Sequence, residues 1–197
     1  MSAFPIHFFR QVEVTLILDI IKPEERLYEN KSLGSEAPYY LFALTSVPVK
    51  HNDAMEISGV LDWYNDSIRN FILPNPLKSV RQHADLYVYS TGSVGSQALK
   101  VAGLPPSREK AVWGGDFVQP EISKKGYRIA FSANSDATGR ATVTLTQPLL
   151  HNIPAGTKIH YGDDVGFQVC VKNRNGGEFG VKDAGKTVFD IEVMEQL

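Results

Sequence analysis

Cysteine is almost absent from this 197-residue chain, with Cys170 its single thiol. No disulfide can staple the fold, which must hold by its core, as in a protein assembled in a reducing cytoplasm. Cys170 sits in the alternating run from Val165 to Val171 and reads as a small buried hydrophobe. Long apolar runs are also missing. The longest, Val14 to Ile21, contains Thr15 and Asp19 and falls well short of the roughly 20 residues a bilayer-spanning helix needs, so no membrane insertion is expected. The opening Met1-Ser2-Ala3-Phe4-Pro5-Ile6-His7 lacks a basic region followed by an apolar stretch and a small-residue cleavage site, and is not a secretory signal. Net charge is small, with 20 basic against 22 acidic residues. That balance argues against a dedicated nucleic-acid or membrane-surface binder.

The usual catalytic devices are missing too. There is no Gly-x-x-x-x-Gly-Lys phosphate loop, no Gly-x-Ser-x-Gly elbow, no His-Glu-x-x-His and no cysteine pair. His7, His51, His83, His151 and His160 are scattered, and none has a second ligand at metal spacing. Asn134-Ser135-Asp136-Ala137-Thr138-Gly139 copies the first half of a calcium loop, yet Leu145 stands where the bidentate glutamate is required. A hairpin tip explains the same residues without an ion. Asp163 and Asp164, near His160, are adjacent on a strand and point to opposite faces, which suits a solvated strand end better than an acid and base pair. No catalytic residue, metal or cofactor is expected.

What is present is the composition of a globular protein, 43% hydrophobic and 21% charged, with 16 glycines and 11 prolines. It is too apolar to be disordered, and the length fits one large domain or two small ones. Glu13 to Ile21 reads as a strand with Val14, Leu16, Leu18 and Ile20 on one face and further apolar residues on the other. A strand apolar on both faces is covered on both sides or lies at an interface, so these four residues are the candidate subunit contacts. Lys22 to Pro38 has no periodicity and reads as a long loop or arm. Tyr39 to Val49 is a strand with Tyr40, Phe42 and Leu44 on one face. Asp53 and Glu56 have capping-box spacing, and Ala54, Ile57, Leu61, Tyr64 and Ile68 form one stripe of a helix that stops near Asn70. Phe71 to Leu73 is a short strand.

Pro74 and Pro76 mark the best boundary, since two prolines in three residues resist both helix and central strand. Beyond it come short strands with regular turn signals: Asp85 to Ser90, Leu99 to Val101, Asp116 to Ile122, and a hairpin of Arg128 to Ala133 with Ala141 to Leu145 across the Asp136-to-Gly139 tip. Tyr127, Ile129 and Phe131 on one strand, and Ala141, Val143 and Leu145 on the other, are its expected buried sets. Asn173 to Gly177 reads as a tight turn, and Thr187 to Met194 as a closing strand. Lys78 to Arg128 holds eight basic and four acidic residues, whereas Met1 to Leu77 holds six basic and ten acidic. The middle is therefore the basic part, as a separate module would be. Within it Tyr87, Tyr89, Trp113 and Tyr127, flanked by Lys100, Arg108, Lys124, Lys125 and Arg128, read either as a ligand-facing platform for single-stranded nucleic acid or sugar, or as core and rim of a small barrel.

Five phrases in order carry a family resemblance: Gly95 to Pro106, ending Gly103-Leu104-Pro105-Pro106; Gly115-Asp116-Phe117-Val118-Gln119; Tyr127-Arg128-Ile129; Ser135 to Leu145; and Pro148-Leu149-Leu150. Together they resemble the distal tail proteins of long-tailed (siphovirus-type) bacteriophages. The resemblance is clearest over residues 92 to 160 and looser over Tyr40 to Pro74. It implies an all-β fold with one short helix: a β-sandwich domain of residues 1–80 plus 172–197, carrying an inserted OB-fold-like β-barrel domain of residues 81–171. It further implies a structural virion protein made and assembled in the bacterial host cytoplasm. Six copies would form a ring at the tail tip, joining the tail tube to the hub and receptor-binding parts, with barrels pointing outward. DNA would pass through the bore without specific binding. Host surface carbohydrate is a further partner the family suggests, though no sugar-binding residue transfers by motif. The first thirty-five residues match no family pattern and the tail after Asn173 is charged and unremarkable, so the ring interface is placed by position only. The rival readings are a stand-alone β-sandwich lectin and a single-stranded nucleic-acid-binding OB-type module.

Overall fold

The computed structural model describes residues 9–17, 39–64, 70–77, 79, 81–175 and 186–196. Strands dominate them, with a single α-helix, and the chain forms two compact units. One unit is discontinuous, comprising residues 1–71 and 169–197; the other is the continuous segment 72–168. The arm from Lys22 to Pro38, together with Leu18, Ile20 and Ile68, lies outside the described residues.

The discontinuous unit is organised on β1 (Phe9–Ile17), β2 (Tyr39–Ser46) and β13 (Asp190–Glu195), which pair antiparallel in that order. β11 (Gly166–Asn175) and β4 (Phe71–Pro74) follow, giving the five-stranded order β1-β2-β13-β11-β4. Alternation along β2 sets the core face: Tyr40, Phe42 and Leu44 are buried while the residues between them are half-buried. Each such large side chain contributes about 1.5–3 kcal/mol when removed from water, which fixes the register because a slip of one residue would turn all three outward. Ile191 and Val193 of β13 are buried as well.

Beside the sheet, β3 (Val49–Lys50) pairs with β12 (Lys186–Thr187) and leads straight into helix α1 (His51–Tyr64). Ala54, Ile57 and Leu61 form the buried stripe expected from their spacing. The capping box does not form as read. The helix begins at His51, so Asp53 lies inside the first turn, where its carboxylate still complements the positive end of the helix dipole. Thr187 to Met194 is not one strand. Its partner is interrupted at Val47-Pro48, and Pro48 has no N–H to give a ladder, so the chain pairs first with β3 and then with β2. Ser46 clasps the break: its N–H donates to the Phe189 carbonyl at 2.8 Å, and its Oγ accepts from the Phe189 N–H at 2.8 Å. Phe189 is buried there, while Val188 is exposed. Asn173 to Asn175, expected in a turn, continue β11 and pair with β13; Gly176 and Gly177 lie outside the described residues.

The continuous unit holds β5 (Tyr87–Ser90), β6 (Ala98–Ala102), β7 (Phe117–Pro120), β8 (Tyr127–Arg128), β9 (Arg140–Thr144) and β10 (Ile159–Tyr161). They make two three-stranded sheets, β5-β6-β9 and β10-β7-β8. Backbone bonds join the sheets on both sides. Val88 N–H donates to Thr157 O and Ile159 N–H to Leu86 O along one seam; Ala130 N–H donates to Thr144 O and Thr146 N–H to Arg128 O along the other. The six strands therefore close into a ring with no free edge. Its interior is one apolar cluster including Leu86, Val88, Leu99, Val101, Val143 and Ile129.

The expected hairpin of Arg128 to Ala133 with β9 forms only at its base. After Ile129, which bridges Leu145, the chain turns away, and Ala133 pairs with Val112 through two backbone bonds of 2.9 and 3.1 Å. Phe131 consequently faces solvent at 71% exposure instead of joining the buried set. The loop after β6 docks on the hairpin tip: Leu104 N–H donates to Gly139 O at 3.1 Å, Ser107 N–H to Asp136 O at 2.8 Å, and Arg108 N–H to Ser135 Oγ at 2.9 Å.

Candidate functional site

The apolar edge of the discontinuous unit is only partly visible. Val14 lies on β1, the outermost strand of its sheet among the described residues, and is half-buried. It pairs in register with Phe42, so this position continues the core face of β2 to the sheet edge, and Leu16 pairs with Tyr40 in the same ladder. The pairing leaves β1 with one side unpaired among the described residues, an open template for another strand.

The four aromatic residues of the barrel do not form one platform. Tyr127 is fully buried in the ring interior, its hydroxyl accepting the Leu150 N–H at 3.1 Å. It cannot face a ligand, because the inward alternation of β8 commits it to the core. Trp113 is half-buried, with Lys110 Nζ 5.2 Å and Arg81 Cζ 5.9 Å from its ring centroid. Those cations take the ring faces a base or sugar would need. Tyr87 and Tyr89 do share an outward face, with Tyr87 at 44% exposure and Tyr89 half-buried. Arg140 stacks on Tyr89, its Cζ 5.1 Å from the ring centroid. Sequence reading missed Arg140 because its neighbour is 51 positions away along the chain, and only the β6–β9 register brings them together.

A polar cluster that no local pattern announces meets the backbone of Trp113. Asp116 Oδ2 accepts from Ser79 Oγ at 2.6 Å and from the Tyr161 hydroxyl at 2.7 Å, and that hydroxyl accepts the Trp113 N–H at 3.1 Å. Burial, reinforced by Asp116, holds the Tyr161 hydroxyl protonated. His83 stacks edge-on against Tyr161, and its Nε2 lies 2.8 Å from the Ala111 carbonyl. A proton relay would need the imidazole between serine and carboxylate. Here Ser79 bonds Asp116 directly and His83 is spent on backbone, so no nucleophile is activated. The cluster ties three loops together.

Burial pushes the His83 ring below its ordinary pKa of 6.5. The folded state therefore prefers the neutral ring, while the unfolded chain takes up a proton near 6.5, so the stability this group contributes is complete above that pH and declines as pH falls toward the folded value. Lowering pH from 7.5 to 5.5 is expected to lower the urea midpoint of the wild type more than that of His83→Gln, a difference chemical denaturation at the two pH values reads directly.

The calcium-like tip is a turn. Asp136 Oδ1 accepts from Thr138 N–H, Thr138 Oγ1 and Arg140 N–H at 2.7 to 2.9 Å. The Arg140 N–H and the Thr138 hydroxyl hold its carboxyl below the usual range. Asn134 Oδ1 accepts the Lys110 N–H at 2.8 Å, leaving these oxygens spent on backbone. Among the described residues no three His, Cys, Asp or Glu side chains group as a metal site. Asp163 Oδ1 accepts the Ser79 N–H at 2.9 Å, which fastens a loop. Cys170 is buried, and burial pushes its thiol pKa up. No described helix is long and apolar enough to cross a membrane.

No protein-family model matches the chain, and no curated protein sequence matches it.

Proposed function

We propose that the protein is a non-enzymatic structural component of a bacteriophage tail tip, a distal tail adaptor whose copies close a hexameric ring between the tail tube and the receptor-binding apparatus. The observation that carries this reading is the division of the chain. A unit assembled from both chain ends interrupts itself for one continuous, closed β-barrel of residues 72–168, and the five resemblance phrases all fall inside that barrel. In this reading the discontinuous unit is the β-sandwich, the barrel is OB-fold-like, and tube, hub and further copies of the chain are the partners. The unpaired side of β1, with half-buried Val14 beside it, supplies a surface on which a neighbouring copy packs. Such a contact joins unlike surfaces and closes only if the rotation per copy divides the circle.

Electron microscopy of the protein mixed with its neighbouring tail components is the test. Six-fold rings are the expected result, and the absence of any ring in the complete mixture removes the proposal. Val14→Lys puts a charge on the sheet edge, a known defence against edge pairing. It is expected to cut ring yield at least about tenfold, for which a loss of about 1.4 kcal/mol summed over all contacts is enough, and the urea midpoint of the free protein, read alongside, separates lost edge pairing from lost core packing.

A further inference from the structure

We infer that the outer face of the β5-β6-β9 sheet binds an acidic polysaccharide, a sugar ring lying on Tyr87 and a carboxylate on Arg140. The inference concerns the barrel alone and stands or falls apart from the ring.

Strand pairing places the residues. Tyr87 pairs with Ala102, which pairs with Arg140; Ser90 pairs with Lys100, which pairs with Thr142. A register shift between Val88 and Ser90 sets Tyr89 into this outward group as well. Tyr87 also bridges Lys158 across the seam. Directly paired residues in adjacent strands project to the same side of a sheet. One surface thus carries Tyr87, Tyr89, Lys100, Arg140, Thr142 and Lys158, all exposed except the half-buried Tyr89. Ala102, the small residue between Tyr87 and Arg140, is covered at 2% exposure. Lys100 and Lys158 have no ion-pair partner among the described residues, and Arg140 makes no salt bridge there although its charge acts on the neighbouring Asp136 carboxylate.

Beside Tyr89 the surface dips into an open groove of about 380 Å³, lined also by Asn134, Asp136, Arg140 and Thr142. Its lining discriminates between anionic polymers. Arg140 lies over the Tyr89 ring with its Cζ 5.1 Å from the centroid, a contact that keeps the guanidinium beside the groove, where its planar fork can meet a carboxylate bidentately. The same stacking denies Tyr89 to a nucleobase and leaves Tyr87 as the open ring of the pair, whereas single-stranded nucleic acid is held by several stacked bases in succession. At the groove wall Asp136 Oδ2, outside the turn bonds that occupy Oδ1, and the Thr142 hydroxyl offer acceptors. Sugar hydroxyls donate to such acceptors, and a phosphodiester backbone has nothing to donate. Three exposed cations beside one open aromatic ring and a groove of mixed donors and acceptors fit a chain of uronic acid residues.

The test is affinity of the purified full-length protein for polygalacturonate, with dextran and single-stranded oligothymidylate alongside. Polygalacturonate binding that weakens with salt and exceeds both controls is expected. Arg140→Ala and Tyr87→Ala should each lower affinity at least about tenfold, as removal of one charge-assisted contact or one ring surface does. Arg140→Lys, which keeps the charge and loses the fork, should remain weakened. Thermal midpoints close to wild type show that these outward substitutions leave the barrel folded, and Lys100→Ala serves as a further variant should either of the first two misfold. Failure to bind polygalacturonate, undiminished binding by the Arg140 and Tyr87 variants, or preference for oligothymidylate overturns the inference.

Discussion

Gly103→Ala is expected to destabilise the barrel by about 3 kcal/mol or more, enough to consume much of the stability of a small domain. Two separate costs add. Gly103 has φ of +95°, a backbone conformation that residues with a Cβ rarely adopt, and forcing one there costs about 1–3 kcal/mol. A Cβ at this site would also fall 2.1 Å from the Asp85 carbonyl oxygen, far inside contact distance, with backbone on the other side rather than a side chain able to swing away. Relief requires the loop after β6 to lift from the entry to β5. That same loop carries Leu104, Ser107 and Arg108, whose N–H groups bond the 135–139 tip, so lifting it frees several backbone donors at once. Urea denaturation should show the midpoint falling with the slope nearly unchanged, the pattern of lost native stability. A variant as stable as the wild type would mean that the close approach does not exist.

Tyr127 gives the second large effect and separates core from surface. Tyr127→Ala empties a fully buried aromatic site in a closed ring, and such truncations cost about 3–5 kcal/mol because surrounding strands relax only in part. Tyr127→Phe keeps the ring and removes the hydroxyl that accepts the Leu150 N–H, leaving a loss of about 1 kcal/mol. If Tyr127 were a ligand residue instead, the phenylalanine variant would change polymer binding and hardly touch stability. The expected result is the reverse: a lowered denaturation midpoint with unchanged affinity for polygalacturonate.

The strand alternations legible in the sequence are those whose partners match them residue for residue. Tyr40, Phe42 and Leu44 on β2, Leu86 and Val88 at β5, and Ala141, Val143 and Leu145 through β9 all take the buried side their spacing predicts. Period-two burial is a local property, and each residue carries its own evidence. The misreadings occur where a partner changes. Phe131 alternates correctly with Ile129, but its strand leaves β9 after Ala130 and takes up Val112 at Ala133, and no local pattern encodes that. The break at Val188 and Phe189 follows from Pro48, some 140 positions away, and the Asn173-to-Asn175 turn gives way to pairing with β13. Tyr87 and Tyr89 are legible as outward by alternation, and Tyr127 as buried by its alternation with Ile129; only the shared aromatic composition suggests that they form one platform. The cluster of Ser79, Asp116 and Tyr161 had no signal at all, since its members sit 37 and 45 positions apart and meet only when the barrel closes.

The order of strands in the five-stranded sheet governs when that sheet can exist. β13 lies between β2 and β11, yet among the described elements it comes last along the chain. On a ribosome, β1 and β2 emerge first and must wait, with the β2 edge bare, while the whole barrel segment is made. The barrel is continuous in sequence and is free to fold in that interval, since domains generally fold as units during synthesis. The missing middle strand then arrives after the barrel segment. A chain stopped short of Asp190 would keep a sound barrel and lack the strand that joins β2 to β11.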